Sequence, residues 1–149
     1  MLENIETLLP LPEGQKKHQA WLIGFDSESM AEMNRLLATL EIPVVGETEV
    51  KIRQIHPGTY IGAGKLQEVK AAIESSKASM VVIDRDLSPM QLRNVEQALG
   101  KKAVIDRPGV ILEIFSRHAR TKEAKVQVEL ARLQYLFPRL RHFWTHFER

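Results

Sequence analysis

Two kinds of residue in this chain invite a chemical reading: a glycine-rich segment that ends in lysine, and four aspartates that follow apolar runs. The segment Gly58-Thr59-Tyr60-Ile61-Gly62-Ala63-Gly64-Lys65 resembles a phosphate-cradling loop until its spacing is counted. Counting back from Gly64-Lys65, the first glycine of G-x-x-x-x-G-K-[ST] falls on Thr59, and Leu66 stands where a hydroxyl should reach Mg²⁺. The segment still leads toward a helix, whose N-terminal amides attract anions. Gly62, Gly64 and Lys65 therefore form a candidate anion or nucleotide loop, with Lys65 as a point charge. The plainer and preferred reading is a tight strand-to-helix turn that needs positive φ. Asp26, Asp84, Asp86 and Asp106 sit just past apolar runs, and strand ends of an open parallel sheet converge where ligands bind. Clustered carboxylates hold Mg²⁺ through oxygen alone, which makes Asp84 and Asp86 the metal candidates against a default of no metal. Asp26 and Asp86 also occupy helix starts, where the helix dipole favours acids. Asp106-Arg107-Pro108-Gly109 fits D-x-x-G but lacks any N-K-x-D partner, and reads as a turn. His142 and His146 share a helical face without a third ligand, too little for zinc. No catalytic residue is assigned.

The elements that must position these residues follow from periodicity. Residues 20–25 form a continuous apolar run, as in a strand buried on both faces. Ser29 with Glu32 predicts a capping box opening a helix whose apolar face is Met30, Met33, Leu37 and Leu40. Val44 to about Ile52 reads as a second strand, and Leu66, Val69 and Ile73 as the face of a second helix ending near Ser75-Ser76. Met80–Ile83 is a third strand. Ser88-Pro89-Met90-Gln91 caps a third helix that Gly100 closes. Ala103–Ile105 is a fourth strand and Val110–His118 a short helix. Strands alternating with short helices predict an α/β fold: a small parallel four-stranded sheet with flanking helices.

The last segment differs in kind. Val126, Leu130, Leu133, Phe137, Leu140, Trp144 and Phe147 recur at spacings of four and three, the seam of a helix lying along another helix. From Thr121 to Arg149 such a helix would be about 43 Å long at ~1.5 Å per residue, and no second helix of that length is predicted. Pro138 interrupts it and predicts a kink, because proline removes one backbone hydrogen bond. Charge is divided the same way. Residues 1–116 carry 13 Lys and Arg against 16 Asp and Glu, whereas residues 117–149 carry 8 against 3. A basic helix bearing aromatics suits nucleic acid or another acidic surface. With no cysteine, disulfides and thiolate metal sites are excluded. No apolar run is long enough for a membrane span, and residues 1–19 lack the pattern of a secretory signal, so a cytoplasmic location is expected.

Three stretches together resemble HflX-type GTPases. Thr59-Tyr60-Ile61-Gly62-Ala63-Gly64-Lys65 is similar to that family's TYIGxGK segment, and Asp84 to Asn94 to its D-x-x-LSPxQxRN stretch. Ala119 to Ala131, followed by Tyr135-Leu136-Phe137-Pro138-Arg139-Leu140, resembles its A-x-T-x-E-A-x-x-QVELAxLxY-x-x-PRL signature. The resemblance covers 44–149 strongly and 20–43 weakly; at 106–109 the family more often has DRT. It implies a ribosome-associated GTPase of the TRAFAC class with an N-terminal α/β subdomain, a two-helix hairpin and a following GTPase domain. In that family the hairpin tip approaches the peptidyl-transferase region of the large subunit, and the protein helps split stalled ribosomes. Applied to this chain, it implies a tail at 1–17, the α/β subdomain at 18–117, and at 118–149 a long C-terminal helix, the first half of the hairpin. GTP and Mg²⁺ would belong to the GTPase domain, and no cofactor or enzymatic activity is expected of this chain alone. The expected partners are the large ribosomal subunit and its rRNA, the second hairpin helix and the GTPase domain. Arg132, Arg139, Arg141 and Arg149 are the rRNA-contact candidates. Two rival readings are an ATP-binding α/β domain using Gly62–Lys65, and a homodimer formed through the seam.

Overall fold

The alternation of apolar runs and amphipathic helices yields a three-layer α/β structure. A computed structural model describes Gly14 and residues 17–139. Its elements are β1 (Ala20–Gly24), α1 (Ser27–Thr39), β2 (Val44–Glu49), α2 (Ala63–Glu74), β3 (Met80–Ile83), α3 (Pro89–Ala98), β4 (Ala103–Asp106), α4 (Arg107–His118) and α5 (Lys122–Arg139). The four strands are all parallel, in the order β2-β1-β3-β4. That order reverses direction after β2, so α1 covers one face while α2 and α3 cover the other. Ile23, Val81 and Ile83 pack with Leu66, Val69, Ile73 and Val95 on the second face. Leu22, Met80 and Val82 pack with Met33, Leu37 and Val110 on the first. The continuous apolar runs of β1 and β3 are thus explained by burial on both sides.

The outer strand β2 pairs with β1 through a register slip between Ala20 and Trp21. Gly46 is required there, because a Cβ would stand 2.1 Å from the Trp21 ring. That ring lies across the strand and its Nε1 donates to Thr48 Oγ1 at 3.0 Å.

Two local expectations are corrected. The Ser29–Glu32 capping box does not form: Asp26 is the N-cap of α1 and its carboxylate accepts from Ser29 N at 2.7 Å. Ser29 and Glu32 are turned to other partners across the sheet edge. Asp106-Arg107-Pro108-Gly109 is not a turn but the start of α4, with Asp106 as N-cap accepting from Gly109 N and proline in the first turn. The Ser88–Gln91 capping box of α3 does form, with both reciprocal hydrogen bonds present.

The long helix has an exposed apolar side and, opposite it, a side buried against the fold. Val126, Leu130, Leu133 and Phe137 face solvent, the last 64% exposed. On the other side Arg132 is buried, and Tyr135 and Leu136 pack into the core beside α4. The seam is therefore exposed where it is described, but the helix does have something to pack on. The helix continues through Pro138 to Arg139. Leu140, Arg141, His142, Trp144, His146, Phe147 and Arg149 lie outside the described residues, as does most of the expected kink and of the tail at 1–17. No described helix is long and apolar enough to cross a membrane.

Candidate functional site

Parallel α/β sheets bind ligands beyond the carboxyl ends of their strands, above all where strand order switches. Here the switch lies between β1 and β3, and the residue that follows β3 is Asp84. Its side chain is wholly buried and already neutralised: Oδ2 accepts from Ser29 Oγ at 2.5 Å and Oδ1 from Arg107 Nη1 at 2.7 Å. Arg107 also donates to Glu32 Oε1 at 2.8 Å. The carboxylates hold the Arg107 guanidinium above its ordinary pKa, the Asp84 hydrogen bond being the largest cause. Asp26 caps α1, and Asp86 is exposed. Among the described residues no three His, Asp or Glu side chains converge as a metal site requires.

Asp106, one strand further along, is the centre of a second buried network. Oδ1 accepts from Tyr135 Oη at 2.5 Å and from Gly109 N at 3.3 Å. Oδ2 accepts from Leu87 N at 3.1 Å and pairs with Arg139 Nη2 at 3.6 Å. The guanidinium of Arg139 lies 3.4 Å from the centre of the Tyr135 ring. Burial, then the Asp106 charge, raise the Tyr135 pKa strongly. Gly109 makes room for this: a Cβ there would meet Ile105 at 2.4 Å and the Tyr135 hydroxyl at 2.7 Å. One carboxylate thus ties β4, the loop before α3, the first turn of α4, and α5 together. Further along α5, Arg132 is buried within 3.9 Å of Glu113 and 4.0 Å of Glu129. Arg132 and Arg139, two of the rRNA-contact candidates, are therefore engaged inside the protein.

The glycine-rich segment sits on the opposite side of α3. His56 and Tyr60 exchange backbone hydrogen bonds, which folds 56–60 into a tight loop with Tyr60 at φ 65°. A non-glycine residue in that region is strained, by about 1 kcal/mol or more, and packing holds it there. The Tyr60 ring meets Phe25 edge-on at 5.4 Å, and its hydroxyl accepts from Arg85 Nε at 3.3 Å. From α3, Gln91 Nε2 donates to Pro57 O at 3.2 Å and Asn94 Nδ2 to Gly58 O at 2.8 Å. Arg93 of the same helix donates to Pro138 O at 3.2 Å. One helix thus fixes both the loop and the far end of α5.

Gly62 is the N-cap of α2 and supplies no side-chain cap, which leaves the first amides of the helix open. Beside this helix start lies a cleft of about 550 Å³ that Lys51, Arg53, His56, Gly62 and Lys65 line, with Glu49 as its acid. Lys65 pairs with Glu68 at 3.1 Å. The side chains of Lys51 and Arg53 make no hydrogen bond or ion pair with other described residues. Gly64 is exposed and does not line the cleft. Periodicity reading missed Lys51, Arg53 and His56. Their signal was alternate basic residues just past a strand's carboxyl end. With Thr59 and Leu66 at the deciding positions, the segment does not fit GTP with Mg²⁺ in the manner of a phosphate loop.

Comparison with known proteins is consistent across sequence and fold. The chain matches a family model described as GTP-binding GTPase N-terminal over 27–116, and one described as GTP-binding GTPase Middle Region over 118–149. It is 46% identical over 118 residues to GTPase HflX of Akkermansia muciniphila, covering 79% of this chain and 27% of that protein. It is 41% identical over 124 residues to GTPase HflX of Escherichia coli (strain K12), covering 83% and 29% respectively. Among solved structures, a GTP-binding protein from the hyperthermophilic archaeon Sulfolobus solfataricus, in complex with GDP, is 31% identical with a TM-score of 0.66. That match covers 85% of this chain and 40% of the archaeal one. The chain spans little more than a quarter of the length of these two curated relatives.

Proposed function

The chain belongs to the HflX-type GTPase family, and on that premise we propose that it is the region that docks such a GTPase on the large ribosomal subunit. In this reading the α/β subdomain aims the long helix, and the full-length protein uses the arm to help split stalled ribosomes. The observation that carries it is the two-sided helix. α5 is fastened to the sheet layer through Asp106, Tyr135 and Arg139, while Val126, Leu130 and Leu133 face outward. An exposed apolar stripe costs on the order of 2 kcal/mol per large side chain unless something covers it. The second hairpin helix is the partner this reading supplies, and the GTPase domain would follow it. Because Arg132 and Arg139 are held internally, Arg141 and Arg149 are the arginines left from the original set for rRNA phosphates.

Sedimentation with purified large subunits tests the reading. Binding should fall steeply between about 50 and 200 mM salt, as phosphate contacts release counterions. No co-sedimentation at low salt, or pelleting insensitive to salt, would overturn it.

A second reading, ATP binding by the α/β subdomain, is favoured by the cleft that Lys51, Arg53 and Lys65 line beside the uncapped start of α2. Titration calorimetry with ATP or GTP and Mg²⁺ decides it: no heat at millimolar nucleotide removes this reading.

A further inference from the structure

Building on the ribosome-docking reading, we propose that the corner where α4 meets α5 is a docking surface for single-stranded RNA. Arg120, Lys122 and Lys125 would take phosphates, and an unstacked base would lie on Phe115. The corner is a shallow slot of about 390 Å³, with Leu112, Phe115 and His118 on the α4 side and Ala124, Val128 and Ala131 on the α5 side. Phe115 is 57% exposed at its rim.

The charge at this corner is not accounted for by the fold. Arg117, Arg120, Lys122 and Lys125 are all exposed, and none makes a side-chain hydrogen bond or ion pair with other described residues. Glu123 is the one acid among residues 117–125. Arg117 and His118 stand in the last turn of α4, where the helix dipole favours cations. Lys122 and Lys125 stand in the first turn of α5, where the dipole disfavours them. Thr121 Oγ1 caps one amide there, accepting from Ala124 N at 3.1 Å. Positive side chains on a positive helix end lower the stability of the helix and raise its attraction for an anion.

The slot selects the kind of polyanion. Ala119, Ala124 and Ala131 keep the slot shallow between Leu112, Phe115 and Val128, so a planar ring can lie flat in it, whereas a docking helix needs deep grooves for interdigitating ridges. An exposed aromatic beside unpaired cations is how proteins hold single strands: the base stacks and the backbone meets the charges. A duplex keeps its bases stacked and cannot use Phe115.

The test is fluorescence anisotropy of the full chain with a labelled single-stranded RNA of about 12 nucleotides and with its duplex, alongside large-subunit sedimentation. Arg120→Glu with Lys122→Glu should weaken single-strand binding at least tenfold. The slope of log affinity against log salt should drop by about 1.4, for two lost contacts at ~0.7 each. Phe115→Ala, an exposed change, should weaken the single strand by about tenfold and leave the duplex within twofold. Wild-type affinity in both variants would overturn the proposal. So would polyglutamate competing as well as RNA at equal charge, since the surface would then suit an acidic protein. If the wild type pellets with large subunits and the corner variants pellet equally, the corner is wrong and the docking reading stands. If the Phe115-dependent RNA binding is found but the wild type does not pellet, the docking reading is wrong and the corner stands.

Discussion

The buried networks of Asp84 and Asp106 and the α2 cleft both hold charged side chains at the same edge of the sheet, yet they use them in opposite ways. In the networks every carboxylate oxygen of Asp84 and Asp106 has a donor, and Arg107 and Arg139 supply counter-charge. In the cleft Lys51 and Arg53 line open space without partners among the described residues. Saturated charges hold the scaffold together, and open ones are left for something else. Of the two aspartates singled out for metal, Asp84 already has a donor on each carboxylate oxygen, while Asp86 is exposed.

Substitutions separate the two regions by size of effect. Asp106→Ala leaves two buried amides and the Tyr135 hydroxyl without their acceptor and the Arg139 cation without its counter-charge. It should lower unfolding stability by about 4 kcal/mol, read as a reduced urea midpoint; a loss under about 1 kcal/mol would end the claim that this carboxylate anchors α5. Arg107→Ala strands the buried Asp84 with Ser29 alone. Because the guanidinium is partly exposed, a loss of about 2 kcal/mol is expected, below the fully buried case. Tyr135→Phe should cost about 1 kcal/mol near neutral pH and change the alkaline limb. The folded state keeps the phenol neutral, so its contribution is fully present below the ordinary tyrosine value of about 10 and is lost as pH rises toward the higher folded value. The wild type should therefore lose stability above about pH 10 more steeply than the Phe variant; parallel curves would show that Tyr135 is not held neutral by the fold. At the small end, Lys51→Ala with Arg53→Ala should alter the unfolding free energy by less than about 0.5 kcal/mol, read from urea denaturation. A larger loss would mean the cleft cations are structural after all.

The scaffold was largely legible in the sequence, since burial on two faces leaves continuous apolar runs and capping leaves Ser-Pro-x-Gln. Local signals failed where a long-range partner outbid them. Ser29 and Glu32 have the spacing of a capping box, but Asp84 and Arg107 claim their side chains from across the sheet. Asp106-x-Pro-Gly has the composition of a turn, yet Asp106 caps α4 through Gly109 N and also accepts from Tyr135, 29 residues away. The α5 seam was plain from its period, whereas the opposite face, built on Arg132, Tyr135 and Arg139, was hidden because a buried arginine looks like a surface one. The cleft was half visible: Gly62 and Lys65 announce themselves, but Lys51, Arg53 and His56 join them only when the chain folds back after β2.

The slipped register at β2 has a consequence for solubility. A parallel sheet ends in a row of unpaired amides and carbonyls that can recruit strands from other molecules. Here the outer strand carries an irregularity between Val44 and Gly46, opposite Trp21 of β1, and two exposed carboxylates, Glu47 and Glu49, along its length. A second copy approaching that edge would meet an irregular rim and like charge. The edge therefore guards the protein against strand-to-strand aggregation, a safeguard of particular use to a chain that already presents the apolar outer face of α5 to water.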